Sequence, residues 1–261
     1  MTCSAFFSAL LLLAAPALVF GGGGNDDRAA LPPGAKLVVA STTWIAAIAR
    51  AAGAEHIRVL APAELRHPPD YELKPSDLAA ASRADLVLYA EWDTFARRLK
   101  ETAGSAGVAA LEVKTSNRPE DIKAEARGIA QILGTADRFA SWAAAFDSLA
   151  EEIRQSVSGR WAGRRVVVER MHRPFAEWLG LDIAGEYGPA EPSPSVIAEL
   201  ARLRPDLVID NYHVPTGRPI AEAAGAVYAE LINFPGRDGT VTIEDVFGYN
   251  ARELLRAGGG Q

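Results

Sequence analysis

A chain of 261 residues, 49% apolar and 23% charged, is long enough for two modest domains and too apolar for wholesale disorder. A net charge of −6, with no basic stripe and no interleaving of aromatic and basic residues, argues against a nucleic-acid partner. The single cysteine, Cys3, lies within the N-terminal apolar run, so disulfides, thiolate metal sites and a cysteine nucleophile are not expected beyond it.

Residues 5–20 form a Leu- and Ala-rich run with small residues at Ala15-Pro16-Ala17. The run is too short for a membrane span and reads as an export signal, although no Lys or Arg precedes it. Residues 21–27 (GGGGNDD) read as a flexible spacer. Residues 1–24 are therefore taken as signal and spacer, and the remainder is expected in a periplasm-like space.

From there strands and helices alternate. Residues 36–40 are an apolar run bounded by turn residues, which predicts a strand, and 44–52 carry helical spacing that stops at Gly53. Residues 56–60 predict the next strand. A loop containing His67 and Asp70-Tyr71-Glu72 follows, and then a helix over 76–82 with Asp77 in its first turn. Strands are predicted at 86–90 and 108–113, with a helix at 94–102 between them. Two helical stretches, 119–133 and 135–157, come next. The second places Phe139, Trp142, Phe146, Leu149 and Ile153 on one face. The second half repeats the pattern, with strands at 165–169, 183–187, 207–210 and 227–232 and helices at 174–179, 195–203, 218–224 and 243–257.

This order predicts an α/β protein of two lobes. Each lobe is a mostly parallel sheet flanked by helices, over 31–134 and 163–261. One long rigid helix, 135–158, joins them and leaves a ligand cleft between. Loops at the carboxyl ends of parallel strands are where such sheets bind ligands, which draws attention to the segment after residue 60.

Four pieces in order carry a resemblance: Ser41-Thr42-Thr43-Trp44-Ile45; Asp70-Tyr71-Glu72-Leu73-Lys74-Pro75-Ser76-Asp77; His172 with Phe175 and Trp178-Leu179-Gly180; and Tyr249-Asn250. Together they resemble the periplasmic zinc- and manganese-binding solute-binding proteins of ABC importers, cluster A-I. The resemblance runs from about residue 37 to 255. It implies a transport protein, not an enzyme, that carries a transition-metal ion to a membrane permease as a monomer. Such proteins bind metal with three histidines, or two histidines and two carboxylates, drawn from both lobes. The first of these histidines stands two residues before the tyrosine, where this chain has Pro69 and carries His67 two residues further back. The second precedes a helix equivalent to the one at 119, where Ser116-Asn117-Arg118 stands and the arginine would repel a cation. His172 is matched to the lobe-two histidine, and the late-loop carboxylate falls near Asn233. Two residues at predicted strand ends, Glu91 and His213, complete a candidate set of His67, Glu91, His172 and His213. Imidazole and carboxylate suit Zn²⁺ in a four-coordinate site, and a more carboxylate-rich set would suit Mn²⁺.

Two other readings stay open. The same scaffold could hold a chelated or organic ligand of the cobalamin or siderophore type, or could have lost its metal. A hydrolytic metalloenzyme is the weaker alternative, because no His-Glu-x-x-His or Gly-x-Ser-x-Gly is present. His56, at a strand start, reads as a structural residue.

Overall fold

The computed structural model describes residue 28 and residues 31–65 and 71–259, so the expected export segment lies outside the described residues. The alternation resolves into two four-stranded parallel sheets. In the first, β1 (Leu37–Ala40) and β3 (Leu86–Tyr89) are central and buried at every residue, whereas β2 (His56–Val59) and β4 (Ala109–Glu112) form the edges. The unbroken apolar runs of β1 and β3 follow from this, since helices cover both faces of a parallel sheet. The order is β2-β1-β3-β4, with Val38 opposite Leu86 and Ala40 opposite Leu88. The second sheet repeats that order as β6-β5-β7-β8, from β5 (Arg165–Glu169), β6 (Asp182–Tyr187), β7 (Leu207–Asn211) and β8 (Val227–Leu231). In both sheets the chain reverses its direction of winding beside the first strand, so a crevice opens at the carboxyl ends of β1 and β3, and of β5 and β7.

The helices α1 (Thr43–Ala51), α2 (Pro75–Ala81), α3 (Ala96–Ser105) and α4 (Pro119–Leu133) belong to the first half. Proline in the first turn, Glu120 and Asp121 beside it and a left-handed Gly134 at the end delimit α4 at both predicted boundaries. The long helix α5 (Ala136–Trp161) runs four residues past its expected end. Gly159 does not stop it, because Trp161 is buried and its Nε1 donates to the Leu254 carbonyl at 3.1 Å, which pins the last turn. At roughly 1.5 Å per residue, its 26 residues span about 39 Å.

The second half adds α6 (Arg173–Trp178), α7 (Pro194–Arg202), α8 (Arg218–Ala224) and α9 (Ile243–Ala257). An aromatic chain joins three of these elements. Trp142 stacks on Phe146 at 5.0 Å, Phe146 meets Phe247 of α9 edge-on at 5.1 Å, and Phe247 meets Phe175 of α6 at 5.2 Å. One continuous apolar cluster therefore runs from Val38 and Ile48 through Phe146 and Trp161 to Val166 and Phe247. The connector is part of a shared core rather than a bare strut.

Asn250 locks the end of β8 to α9. Its Oδ1 accepts from the Ile232 N–H at 2.9 Å and its Nδ2 donates to the Ile232 carbonyl at 2.8 Å, with the side chain buried. Asn250→Ala leaves both backbone groups unsatisfied, and a cost of about 2–5 kcal/mol is expected. Urea denaturation should show a lower midpoint with an unchanged slope.

Candidate functional site

The two crevices face each other and enclose a cleft of about 460 Å³. From the first lobe it is lined by Trp44 in the first turn of α1, Trp92 after β3 and Thr115 to Asn117 before α4. From the second lobe come Glu169 at the end of β5, Asn211 and His213 after β7, and Asn233 and Phe234 after β8. Met171, Pro174, Pro189 and Val214 add apolar atoms, and Arg170 is the one positive charge among the described lining residues.

Glu169 is the residue with the most unusual environment. It is 2% exposed; its Oε2 accepts the Met171 N–H at 2.9 Å, while Oε1 is buried with no donor. Burial, reinforced by the nearby Asp210 carboxylate, pushes its carboxyl up to about 7, against the opposing pull of the Met171 N–H, the Asn211 amide and Arg170. Gly188, at φ +84°, leaves the space the carboxylate fills, since a β-carbon there would lie 2.8 Å from Oε1. A half-satisfied buried carboxylate facing a cleft is arranged to receive a positive partner.

The loop that carries His213 is built on Asp210. This buried carboxylate accepts the N–H groups of Asn211 at 2.8 Å, Thr216 at 3.4 Å and Gly217 at 2.7 Å, and the Tyr228 hydroxyl at 2.7 Å. Gly217 is required for close approach, because a β-carbon there would sit 1.9 Å from the Tyr187 hydroxyl oxygen. Within the loop, the His213 N–H donates to Asn211 Oδ1 at 3.0 Å. The imidazole stacks on Phe234 with centroids 3.5 Å apart and meets Tyr212 edge-on at 5.2 Å. His213 thus stands at the cleft, as its place after a strand led us to expect.

Glu91 and His172 are not among the described residues that line the cleft. His67 lies outside the described residues. Glu91 is exposed, and its neighbour Trp92 lines the cleft instead; Trp92 Nε1 donates to Thr115 Oγ1 at 2.9 Å. His172 is completely buried, and neither ring nitrogen makes a hydrogen bond. It lies in the short 3₁₀ turn at Arg170–His172, beside the Leu231 backbone, and is not among the described residues that line the cleft. Burial pushes its imidazole down to about 4, against the opposing pull of the nearby Leu231 carbonyl. The residue of that segment that faces the cleft is Glu169. Sequence reasoning passed over it, although an acid closing the run Val166-Val167-Val168 is costly unless a polar space receives it.

Two departures noted in the sequence also find physical accounts. The Arg118 guanidinium turns to Glu120 at 3.4 Å and to Glu177 of α6 at 3.9 Å, so its charge is matched by carboxylates rather than aimed at the cleft. Asn117 beside it is 7% exposed and its Oδ1 has no donor. The Tyr71 to Asp77 element holds its loop in place: Asp77 accepts the Tyr71 hydroxyl at 2.7 Å and the Lys74 N–H at 2.9 Å, capping α2. Tyr71 then packs edge-on against Phe95 at 5.8 Å. Among the described residues, no three His, Cys, Asp or Glu side chains gather as a metal-binding group.

Solved structures share the fold. FpvC from Pseudomonas aeruginosa in complex with Mn²⁺ aligns with a TM-score of 0.67 at 19% identity, over 85% of this chain and 98% of its own. The laminin-binding adhesin Lmb of Streptococcus agalactiae gives 0.66 at 19% identity, over 86% and 99%. A zinc-bound deletion mutant of ZnuA gives 0.66 at 19% identity, over 87% and 99%. No curated relative matches in sequence. Residues 38–206, well over half of the chain, match the profile of ZnuA, the periplasmic component A of the zinc-uptake complex. The chain belongs to this family of metal-binding solute-binding transport proteins.

Proposed function

We propose that the protein captures a divalent transition-metal ion in the interlobe cleft and delivers it to the permease of an ABC importer. The observation that supports this reading best is the orphaned, buried Oε1 of Glu169, because a cation would supply the missing partner and favour its ionised form. His213, on the loop that Asp210 organises, is the second ligand. His67 is the first-lobe histidine that the sequence offers ahead of Tyr71, and it lies outside the described residues. In the cited structures, FpvC holds Mn²⁺ or Ni²⁺ and the ZnuA mutant holds zinc. Imidazole and carboxylate together make Zn²⁺ the preferred cargo over Mn²⁺ here, as the general order of divalent affinities also does.

The reading includes export to the periplasm, action as a monomer, and lobes at 31–134 and 163–261 about a connector at 135–158. Since the core is continuous through α5 and α9, opening is confined to the mouth of the cleft. There the contacts to be broken are Thr43 Oγ1 to the Pro235 carbonyl, 2.8 Å, and Arg118 to Glu177. A permease that binds the open form better would lower metal affinity by that difference alone.

Calorimetric titration of the metal-stripped chain at pH 7.5 tests the proposal. One site per chain is expected, tighter for Zn²⁺ than for Mn²⁺ and weakened in His213→Ala. Heats without a saturable site for either ion would reject it.

A further inference from the structure

The cleft is larger and less polar than a metal ion needs. Its volume of about 460 Å³ falls in the range of roughly 300–1,000 Å³ common for small organic ligands. The lobes already touch on both sides of it. Thr43 beside Trp44 is bonded to Pro235 beside Phe234, and Arg118 beside Asn117 is paired with Glu177. Closure at these contacts therefore does not account for the space that remains.

The lining also has a definite chemistry. Three buried oxygens reach no donor: Glu169 Oε1 and Asn233 Oδ1 in the second lobe and Asn117 Oδ1 in the first. One cation bonded to Glu169 leaves the two amide oxygens to be matched, and each unmatched buried acceptor costs about 1–3 kcal/mol. Around them lie the rings of Trp44, Trp92 and Phe234, and among the apolar lining residues Met171 and Val214 are 45% and 37% exposed. Aromatic and aliphatic walls favour a carbon framework and offer nothing to the water shell of a bare ion. Arg170 keeps guanidinium N–H groups beyond the Nε that it gives to Glu186, so a carboxylate at the rim would be met.

We propose that the cargo is a metal chelate: a divalent ion bound to Glu169 and His213 whose remaining positions are filled by a small organic chelator of amino-acid type. The chelator's N–H groups donate to Asn117 and Asn233, its carbon framework lies on Trp44, Trp92 and Phe234, and its carboxylate faces Arg170. This rests on the metal reading above and names what the metal brings with it.

Native mass spectrometry and competition titration of the metal-stripped full chain test it with three probes: Zn²⁺ alone, Zn²⁺ with L-histidine, and Zn²⁺ with citrate, which offers oxygen acceptors but no N–H. The expected complex carries the mass of one Zn²⁺ plus L-histidine. Its affinity, at equal free Zn²⁺, should be at least tenfold above that for Zn²⁺ alone. Asn117→Leu and Asn233→Leu, which keep the side-chain size, should each reduce that gain at least fivefold. Zinc retained without L-histidine mass, L-histidine acting only as a competitor, or citrate retained in preference would each overturn the chelate proposal while the metal reading stands. No zinc retained under any of the three conditions would overturn both.

Discussion

Glu169→Ala is expected to lower divalent-metal affinity by roughly 30- to 3,000-fold. Removing one partner of a desolvated charge pair costs about 2–5 kcal/mol, and each 1.4 kcal/mol is tenfold. The expectation rests on position as much as charge. Glu169 is the last residue of the central strand β5, paired with Tyr187 of β6 and one position beyond the last pair with β7, Val168 opposite Ile209, and it lines the cleft where the two sheets' carboxyl ends meet. Its Oε2 accepts one backbone N–H, the Asn211 amide lies close by, and Oε1 is buried with no hydrogen-bond donor. Glu169→Gln should lose nearly as much, because the amide keeps the shape and cannot supply the charge. The contrast is set by residues with more familiar ligand chemistry. His172→Phe and Glu91→Gln should change affinity by less than twofold, since the first is sealed in the second lobe and the second stands exposed outside the cleft. A titration series across these four variants reads the ranking directly. Equal losses in His172→Phe and Glu169→Ala would return the lobe-two ligand to the histidine.

The architecture was largely legible because its signals are local. Runs such as Leu37-Val38-Val39-Ala40 and Leu207-Val208-Ile209, bounded by turn residues, can be little else than buried parallel strands. Helix ends at Pro119, Gly134 and Thr242 follow from capping chemistry that is written in one or two residues. Strand order is not local, and no residue pattern distinguishes β2-β1-β3-β4 from its rivals; the loop lengths and the handedness of the crossovers decide it. The site was half legible for the same reason. His213 was found from its place at a strand's end, which the fold alone dictates. Glu169 ends a strand too and lines the cleft, but its family match is less apparent than that of the histidine three residues later, which is buried across the 3₁₀ turn of Arg170–His172. Likewise the visible work of the Tyr71 to Asp77 motif is to tie Tyr71 and Lys74 to Asp77 and cap α2.

The same two buried groups should dominate the stability of the metal-stripped protein against pH, in opposite directions. Glu169 holds its proton up to about 7 in the folded chain against an ordinary 4.5, so between those values the folded state binds a proton that the unfolded state has released. The stability it contributes is complete below about 4.5 and is lost as pH rises through 7. His172 refuses a proton down to about 4 against an ordinary 6.5, so its contribution is complete above 6.5 and is lost as pH falls toward 4. Each is worth on the order of 3 kcal/mol, because a displacement of one pKa unit is about 1.4 kcal/mol. Since the windows overlap from 4.5 to 6.5, the two nearly cancel in the parent chain, and each variant exposes the other group. On acidification from pH 7.5 to 5, Glu169→Gln should lose thermal stability, while His172→Phe should gain it. At roughly 2–4 °C per kcal/mol for a chain of this size, the two melting curves should diverge by about 10 °C or more. Groups common to both variants, such as the buried Asp93 with its raised carboxyl, drop out of that difference. Melting curves that run parallel across this range would mean that neither group meets the desolvation its burial implies. Saturating Zn²⁺ should flatten the curve of His172→Phe, which keeps Glu169, by favouring the ionised carboxylate.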